Sequence, residues 1–549
     1  MKSNTSKIIV ILLVMVGLLC SLSFFQRRMN GIRATHHLTD STPLENAPPV
    51  VAFSSVALGG FRGLLADYLW LRSSRMQDEG NYYEMVQLAD WIVKLQPRFT
   101  GAHAFLGWNM AYNVSVTFTS FEDRWRWVKR GIELIRDEAM EYNPGDPELF
   151  RQLGWIYQHK MGQDMDDANR YYKTEFAKEM VRVFGDDYGK WDDIDKSPLN
   201  ETKLLAVLDD KAADYKRILA AAQLDFAHLE LRFRELATVP PEVKEEMDEL
   251  GITPQVEMCL RHRWLLYKYR LDPKILMHCN RLFGDLDWRL PEAHAIYWAQ
   301  RGREKWFSPS ASFKRLSCER MIFQALNAAT ATGRLLYLKG DLRNLQMTPN
   351  FAVVPAADAA YQNAQELFPD TPLEGPYRNF QDDAIVRFYI FGYQKTADTW
   401  YKRGQKNAPD HFPKDVSLED YVMGKLAEQM DSPSQRKAQA AVQSYLNQAY
   451  TFLAMADDEE SDAFKTFEGM TLTAKKLYDH YSKFIGDTTL RRGLPPFDEL
   501  RKVALGTVAS ALRANEETKK LADNLEHFQH IPLERFIPRA EEIAPPKVK

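Results

Sequence analysis

Disulfide chemistry is the first thing this 549-residue sequence lacks. It has four cysteines, Cys20 in an apolar run and Cys259, Cys279 and Cys318 far apart. Nothing forms a CxxC pair or a spaced framework, so cysteine leaves the redox compartment open. A basic excess is missing too. The net charge is −4, and the cations Lys2, Lys7, Arg27, Arg28 and Arg33 stand in the first 33 residues without one acid, so the remainder is more acidic still. A nucleic-acid binder needs a broad basic face, and no nucleic-acid partner is expected. Strand alternation bounded by turn pairs is scarce, with "PPVVAFSSVALGG" the one short candidate. Also missing are G-x-S-x-G, a Walker A loop, G-x-G-x-x-G and H-E-x-x-H. Their absence removes the usual traces of an activated serine, a phosphate cradle and a zinc protease. No cofactor, metal or small-molecule substrate is evident. Carboxylates brought together only in space would leave no such trace.

What is there begins at the N-terminus. Ile8 to Phe25 is a run of 18 uncharged, mostly apolar residues between Lys7 and Arg27–Arg28. About 20 such residues cross a bilayer core as a helix, so the run reads as a transmembrane anchor. No small-residue cleavage site follows it, which separates it from a removed secretory signal. Two lysines precede it and three arginines follow, so charge does not orient it. A short N-terminal arm before a large body is the pattern of a signal-anchor, with the body outside the cytoplasm. A polar, proline-marked linker occupies 34–50, helical periodicity dominates from there to about residue 535, and a polar tail closes the chain at 536–549.

Two stretches of the helical body are nearly the same: "FLGWNMAYN", holding Leu106-Gly107-Trp108, and "QLGWIYQHK", holding Leu153-Gly154-Trp155. A glycine beside aromatics on a helix marks a close crossing of two helices. Ser73 stands one 34-residue period before Gly107, and its unit continues through Gly80, Ala89 and Pro97. The unit of Gly107 ends at Pro144. Later copies are "AADAAYQNAQELFP", with Ala357, Tyr361, Ala364 and Pro369, and "FGYQKTADTWYKRGQKNAP", with Gly392, Ala397, Tyr401, Gly404 and Pro409. In these positions the chain resembles the tetratricopeptide-repeat family, over about residues 66–182 and 350–411. "LGGFRGLLADYLWLRSS" is similar to the first helix of membrane-anchored bacterial repeat proteins. The resemblance implies helical hairpins that bury their apolar faces only by stacking, hence an α-solenoid, and it implies partner binding without a cofactor. The expected layout is an anchor at 1–33, a linker at 34–50, repeats at 51–182, an irregular helical region at 183–350, repeats at 351–411, further helices at 412–535 and the tail.

Other motifs compete weakly. Cys259, His262, His278 and Cys279 are of zinc-binding type, but adjacent His278 and Cys279 would diverge on a helix. Asp164, Asp166 and Glu175 take positions 1, 3 and 12 of a calcium loop, but Ala168 and Asn169 stand where it needs an oxygen ligand and glycine. His294 lies in an aromatic-rich helix and reads as a packing residue. Two basic-aromatic strips remain, "RWRWVKR" (Arg124 to Arg130) and "RHRWLLYKYR" (Arg261 to Arg270). Such strips hold anionic partners, or else pack their rings inward and leave the cations in water. The second is the better partner-binding candidate, through Arg261, Arg263, Lys268 and Arg270.

The fold expected is therefore all-α: a tetratricopeptide-like solenoid behind one transmembrane helix. Gly107, Trp108, Gly154, Trp155, Gly392, Ala397 and Tyr401 pack its repeats. The leading function is a scaffold that binds protein or peptide partners in a bacterial envelope complex for secretion, transport or surface-polymer assembly, rather than an enzyme. The alternatives are an envelope-polymer enzyme with a carboxylate site in a helical cavity, and a binder of anionic lipid or polymer.

Overall fold

A computed structural model of the chain describes residues 61–528, except 164, 186–190, 307–311, 338–341, 343–344, 429–434, 486–493 and 514–517, together with scattered positions between 14 and 35. Two compact units divide at Asp67 and Tyr68. In the first, described positions between 14 and 35 are helical, and the apolar side chains of Val14, Met15, Val16, Leu18, Phe24 and Phe25 are exposed. The expected span begins at Ile8, and its first six residues lie outside the described residues. So do nearly all of the linker, the strand candidate at 48–60 and the tail. Among the described residues no helix is long and apolar enough to cross a membrane.

Among the described residues the body is all-α apart from one small hairpin. Its helices are α1 (Phe61–Asp78), α2 (Tyr82–Leu95), α3 (Thr100–Asn109), α4 (Phe121–Glu133), α5 (Pro147–Trp155) and α6 (Asn169–Phe184). Shorter ones follow: α7 (Trp191–Lys196), α8 (Glu201–Leu208), α9 (Ala212–Ala221), α10 (Phe226–Leu236), α11 (Pro241–Glu249), α12 (Thr253–Arg263), α13 (Pro273–Phe283), α14 (Pro291–Arg303) and the long α15 (Ser312–Thr332). Strands β1 (Arg334–Leu336) and β2 (Gln346–Thr348) pair antiparallel with Leu335 opposite Met347. Then come α16 (Val354–Leu367), α17 (Glu374–Ile390), α18 (Gln394–Asn407), α19 (Leu418–Glu428), α20 (Gln435–Ala454), α21 (Asp462–Ile485), α22 (Phe497–Arg513) and α23 (Lys519–His527).

The turn expected at Gly80 and the helix ends expected at the prolines are present as backbone geometry, and Gly392, expected as a packing position, is a turn as well. Gly80 has φ of 72°; its N–H donates to Gln77 O, and the Asn81 N–H reaches back to Met76 O at 2.8 Å. Gly392 repeats this with φ of 85°, its N–H on Tyr389 O and Tyr393 N–H on Phe388 O at 2.8 Å. Both are left-handed helix C-caps, cheap only for glycine, and each turns the chain straight into the next helix. The prolines act at the other end. Gln96, Asn143, Phe368 and Ala408, each just before Pro97, Pro144, Pro369 or Pro409, share φ between −130° and −150° with ψ of 60–66°. A following proline ring forbids the helical region to the residue before it, so the four helices stop alike. Ala89, Ala357, Ala364 and Ala397 are all fully buried, and Tyr401 donates its hydroxyl to Pro413 O and Val416 O, both at 3.1 Å.

The two Leu-Gly-Trp glycines are both crossing points, with different partners. A Cβ on Gly107 would stand 2.6 Å from the Ile135 side chain and 2.9 Å from Gly131 O, while one on Gly131 would stand 2.5 Å from Gly107 O. Here α3 and α4 touch glycine to glycine, as a hairpin pair should. Gly154 instead rests on α14, where a Cβ would lie 3.2 Å from Ala299 N and 3.3 Å from Ala295 O. The expected crossing with its own hairpin partner is thus replaced by a helix from the region 183–350. That helix is buried on nearly every side, from Pro291 through Gln300, with the polar Glu292, His294 and Gln300 buried among its apolar residues. One contiguous apolar core runs from Ala104 to Phe528 through that region.

Gly131→Ala should lower the urea midpoint by the equivalent of about 1–3 kcal/mol, because backbone rather than a flexible side chain blocks the added methyl. Gly424→Ala, with nothing within 4 Å and a helical setting, should leave it unchanged or raise it. Equal midpoints for the two variants would contradict the crossing.

Candidate functional site

Each Leu-Gly-Trp copy passes into a π-helical turn just after its tryptophan, Met110–Val114 after α3 and Ile156–Met161 after α5. Wide turns of this kind are rare and concentrate at functional sites. Four residues past each tryptophan, on the same helix face, stands another ring. Trp108 stacks on Tyr112 with centroids 5.4 Å apart, and Trp155 stacks on His159 at 4.5 Å. The pairs then join: Tyr112 and His159 lie 5.7 Å apart and share a hydrogen bond of 3.1 Å between the hydroxyl and Nδ1. At the other end Phe105 touches Trp108 at 6.1 Å and Trp70 of α1 at 5.0 Å. The result is a ladder of rings, all half-buried, across α1, α3 and α5. Beside it runs a line of amides, in which Asn113 Nδ2 donates to Asn109 Oδ1 at 2.7 Å and Asn109 Nδ2 to Gln77 Oε1 at 2.9 Å.

Charge lies beneath the ladder. The ammonium of Lys160, only 4% exposed, sits 5.3 Å from the Tyr112 ring centroid and 5.8 Å from that of Tyr172, and meets Asp166 Oδ2 at 2.5 Å. Arg124 reaches the other oxygen of Asp166 at 2.6 Å. Burial pulls the Lys160 ammonium below its ordinary range, with the Asp166 pair partly opposing it. Burial also lowers His159, and the neighbouring Lys160 charge lowers it further. Burial works against the Asp166 carboxylate, but Lys160, the Ala168 amide and Arg124 together hold it below the usual carboxylate range. Asp166 therefore ties cations rather than a calcium ion; Asp164 lies outside the described residues.

The two basic-aromatic strips meet each other. Lys129 of the first strip and the Tyr269 hydroxyl of the second both reach Glu179 of α6 at 2.6 Å. Trp125 and Trp264 line the same cleft of about 370 Å³. The four cations singled out from sequence each act within the chain. Arg261 donates to Val183 O at 2.8 Å, Arg263 meets Glu230 at 2.7 Å, Lys268 meets Asp137 at 3.0 Å, and Arg270 donates to Arg136 O at 2.8 Å and pairs with Glu141. Strip and strip form an internal seam, in which rings pack and cations close helix ends and acids.

Cys259, Cys279 and Cys318 are buried thiols, each pushed up to about 12 by desolvation. Among the described residues no three His, Cys, Asp or Glu side chains gather as a metal site would require. His294 packs between Tyr157 and Phe176 and its Nε2 shares a 2.8 Å hydrogen bond with Trp288 O. Sequence reasoning missed the partnership of Tyr112 with His159, the buried Lys160–Asp166 pair and Gly131. The shared Trp-x-x-x-ring spacing in the two copies is the signal that could have found the first of these.

No protein-family profile matches the chain, and no curated protein matches it.

Proposed function

We propose that the chain is a membrane-anchored helical-repeat scaffold that holds an extended segment of a protein partner along the ring ladder. The observation that carries this reading is the ladder itself: half-buried aromatic rings from three successive repeat-opening helices, with amides alongside. Rings placed this way bury apolar side chains of a segment at little entropic cost, and the half-buried Asn113 amide, held by buried Asn109, is placed to meet its backbone. The repeats stack as a tetratricopeptide-like solenoid, and Ile8 to Phe25 anchors it in a bacterial inner membrane with the body on the outer side. Supporting the anchor is the exposure of the apolar side chains described between Val14 and Phe25, which lipid would cover. The partner belongs to an envelope complex for secretion, transport or surface-polymer assembly.

A photo-crosslinker at Asn113, on the full chain in its native membrane, should trap a specific protein. Trp108→Ala with Trp155→Ala should reduce the yield more than tenfold, since truncating buried aromatic anchors commonly costs about 2 kcal/mol or more each. Undiminished yield from a correctly folded double variant would end the proposal.

A further inference from the structure

A second cleft, of about 400 Å³, opens between α7, α8, the end of α12 with the π turn after it, and the start of α13. Its chemistry differs from that of the ladder. Lys196, Lys203 and Lys274 come to it from three different helices, and none makes an ion pair among the described residues. Between them stands His262, only 4% exposed, yet lining the cleft. Its Nδ1 lies 3.2 Å from both the hydroxyl and the carbonyl oxygen of Ser197. The Ser197 hydroxyl gives its hydrogen to Ile194 O at 2.7 Å, so the Ser197 carbonyl accepts from Nδ1–H and the lone pair stays on Nε2 of a ring that lines the cleft. Two carboxylates complete the charged lining. Asp272 is engaged as the cap of α13, accepting from Lys274 N–H at 2.9 Å, and Asp195 is the remaining opposing charge. Leu199, Val207 and Leu266 give an apolar wall.

We infer that this cleft binds the phosphoryl or sulfuryl group of a small molecule. The three ammonium groups take the oxyanion, the apolar wall takes the body, and His262 strengthens binding when Nε2 gains a proton and becomes a donor. The volume suits a ligand larger than a bare ion. Burial keeps the imidazole below its ordinary range, with the Ser197 backbone and the fields of Asp195 and Asp272 opposing this and Lys274 assisting it. The free cleft thus holds neutral histidine near pH 7, and an arriving dianion favours its protonation. Affinity should rise as pH falls.

Sulfate is the discriminating probe, because its charge does not change across the range in which histidine titrates. Calorimetry of the full chain in detergent, at constant ionic strength, should show saturable sulfate binding roughly tenfold tighter at pH 5.5 than at pH 8, as one added charge-assisted hydrogen bond provides. His262→Gln should lose the pH dependence. Lys196→Ala, Lys203→Ala and Lys274→Ala combined, all at exposed positions, should remove binding at both pH values. Phenyl phosphate should bind several-fold tighter than inorganic phosphate. Absence of saturable binding, wild-type affinity in the triple lysine variant, a retained pH slope in His262→Gln, or equal affinity for the two phosphates would each overturn the assignment. The ladder variants should leave all four measurements unchanged.

Discussion

Asp166→Ala should be among the most destabilising single substitutions in the protein, lowering stability by about 3–5 kcal/mol, because it strands buried Lys160 and takes from Arg124 its buried partner. Asp166 is the shared acid of Lys160 and Arg124, whose side chains are 4% and 10% exposed, and it also caps the Ala168 amide at 2.9 Å. Taking the carboxylate away does not return either cation to water; Lys160 is left without a counter-charge, and Arg124 keeps only the exposed Asp167. Asp167 pairs with the same Arg124 at 2.7 Å but is 72% exposed. Pairs of that kind contribute about 0–1 kcal/mol, so Asp167→Ala is the matched control and should be near neutral. Asp166→Asn keeps the volume and one acceptor and should fall between them. The measurement is the urea midpoint together with protease resistance, since a chain of this size need not unfold in one step. A loss below about 1 kcal/mol for Asp166→Ala would mean that the pair is hydrated and that Lys160 is not a fixed support for the Tyr112 ring. The same variant links stability to the ladder, because the Lys160 ammonium sits against the Tyr112 ring.

What could be read from the sequence was the local chemistry of the backbone. Gly80 was legible as a turn and Pro97, Pro144, Pro369 and Pro409 as helix ends, because a left-handed cap and a pre-proline restriction act within one or two residues, whereas Gly392 read as a packing position and is a second such cap. The all-α class followed from periodicity for the same reason. Partnerships across the chain were not legible. Nothing in "QLGWIYQHK" tells that Gly154 meets Ala295 and Ala299 rather than its own hairpin mate, since any helix with a small or open backbone face satisfies a glycine. The strips were legible as unusual but not as halves of one seam, because the acid between them, Glu179, sits in a helix with no mark of its own. The strands are three residues each and too short for alternation to show. The π turns have no propensity signature, and the ladder became visible only when they placed Tyr112 beside His159.

The largest expected effect of conditions is acid destabilisation between about pH 6.5 and 4, carried mainly by two buried histidines, with His159 and His262 adding in the same direction. His103 is wholly buried in α3, and desolvation, only partly offset by the Gln96 backbone, lowers it to about 4. His294 is 1% exposed and lowered to about 4 by desolvation, against the opposing hydrogen bond to Trp288. In the unfolded chain each titrates near 6.5. As pH falls through that value the unfolded state takes up protons that the folded state refuses, so stability drops. The penalty is absent above about pH 6.5 and complete below about pH 4, where it amounts to roughly 3 kcal/mol for each histidine from a difference of about 2.5 pH units. Asp137, Asp166 and Glu179 are held below their ordinary range by their cation partners despite burial, so their stabilisation is lost only at still lower pH. The histidines therefore set the slope in the upper window. Melting temperature measured from about pH 7.5 down to about 4.5 should fall steadily, beginning near pH 6.5. His103→Leu should flatten part of that slope while leaving the value near pH 7.5 unchanged or higher, because an apolar side chain suits a wholly buried place better than an imidazole. His294→Gln should flatten another part, with a loss of about 1 kcal/mol near pH 7.5 from the weakened hydrogen bond to Trp288 O. The two sites lie on different helices, α3 and α14, and their effects should add in the double variant. A double variant with the wild-type slope would show that both rings take up protons in the folded state, and that the core around α14 admits water.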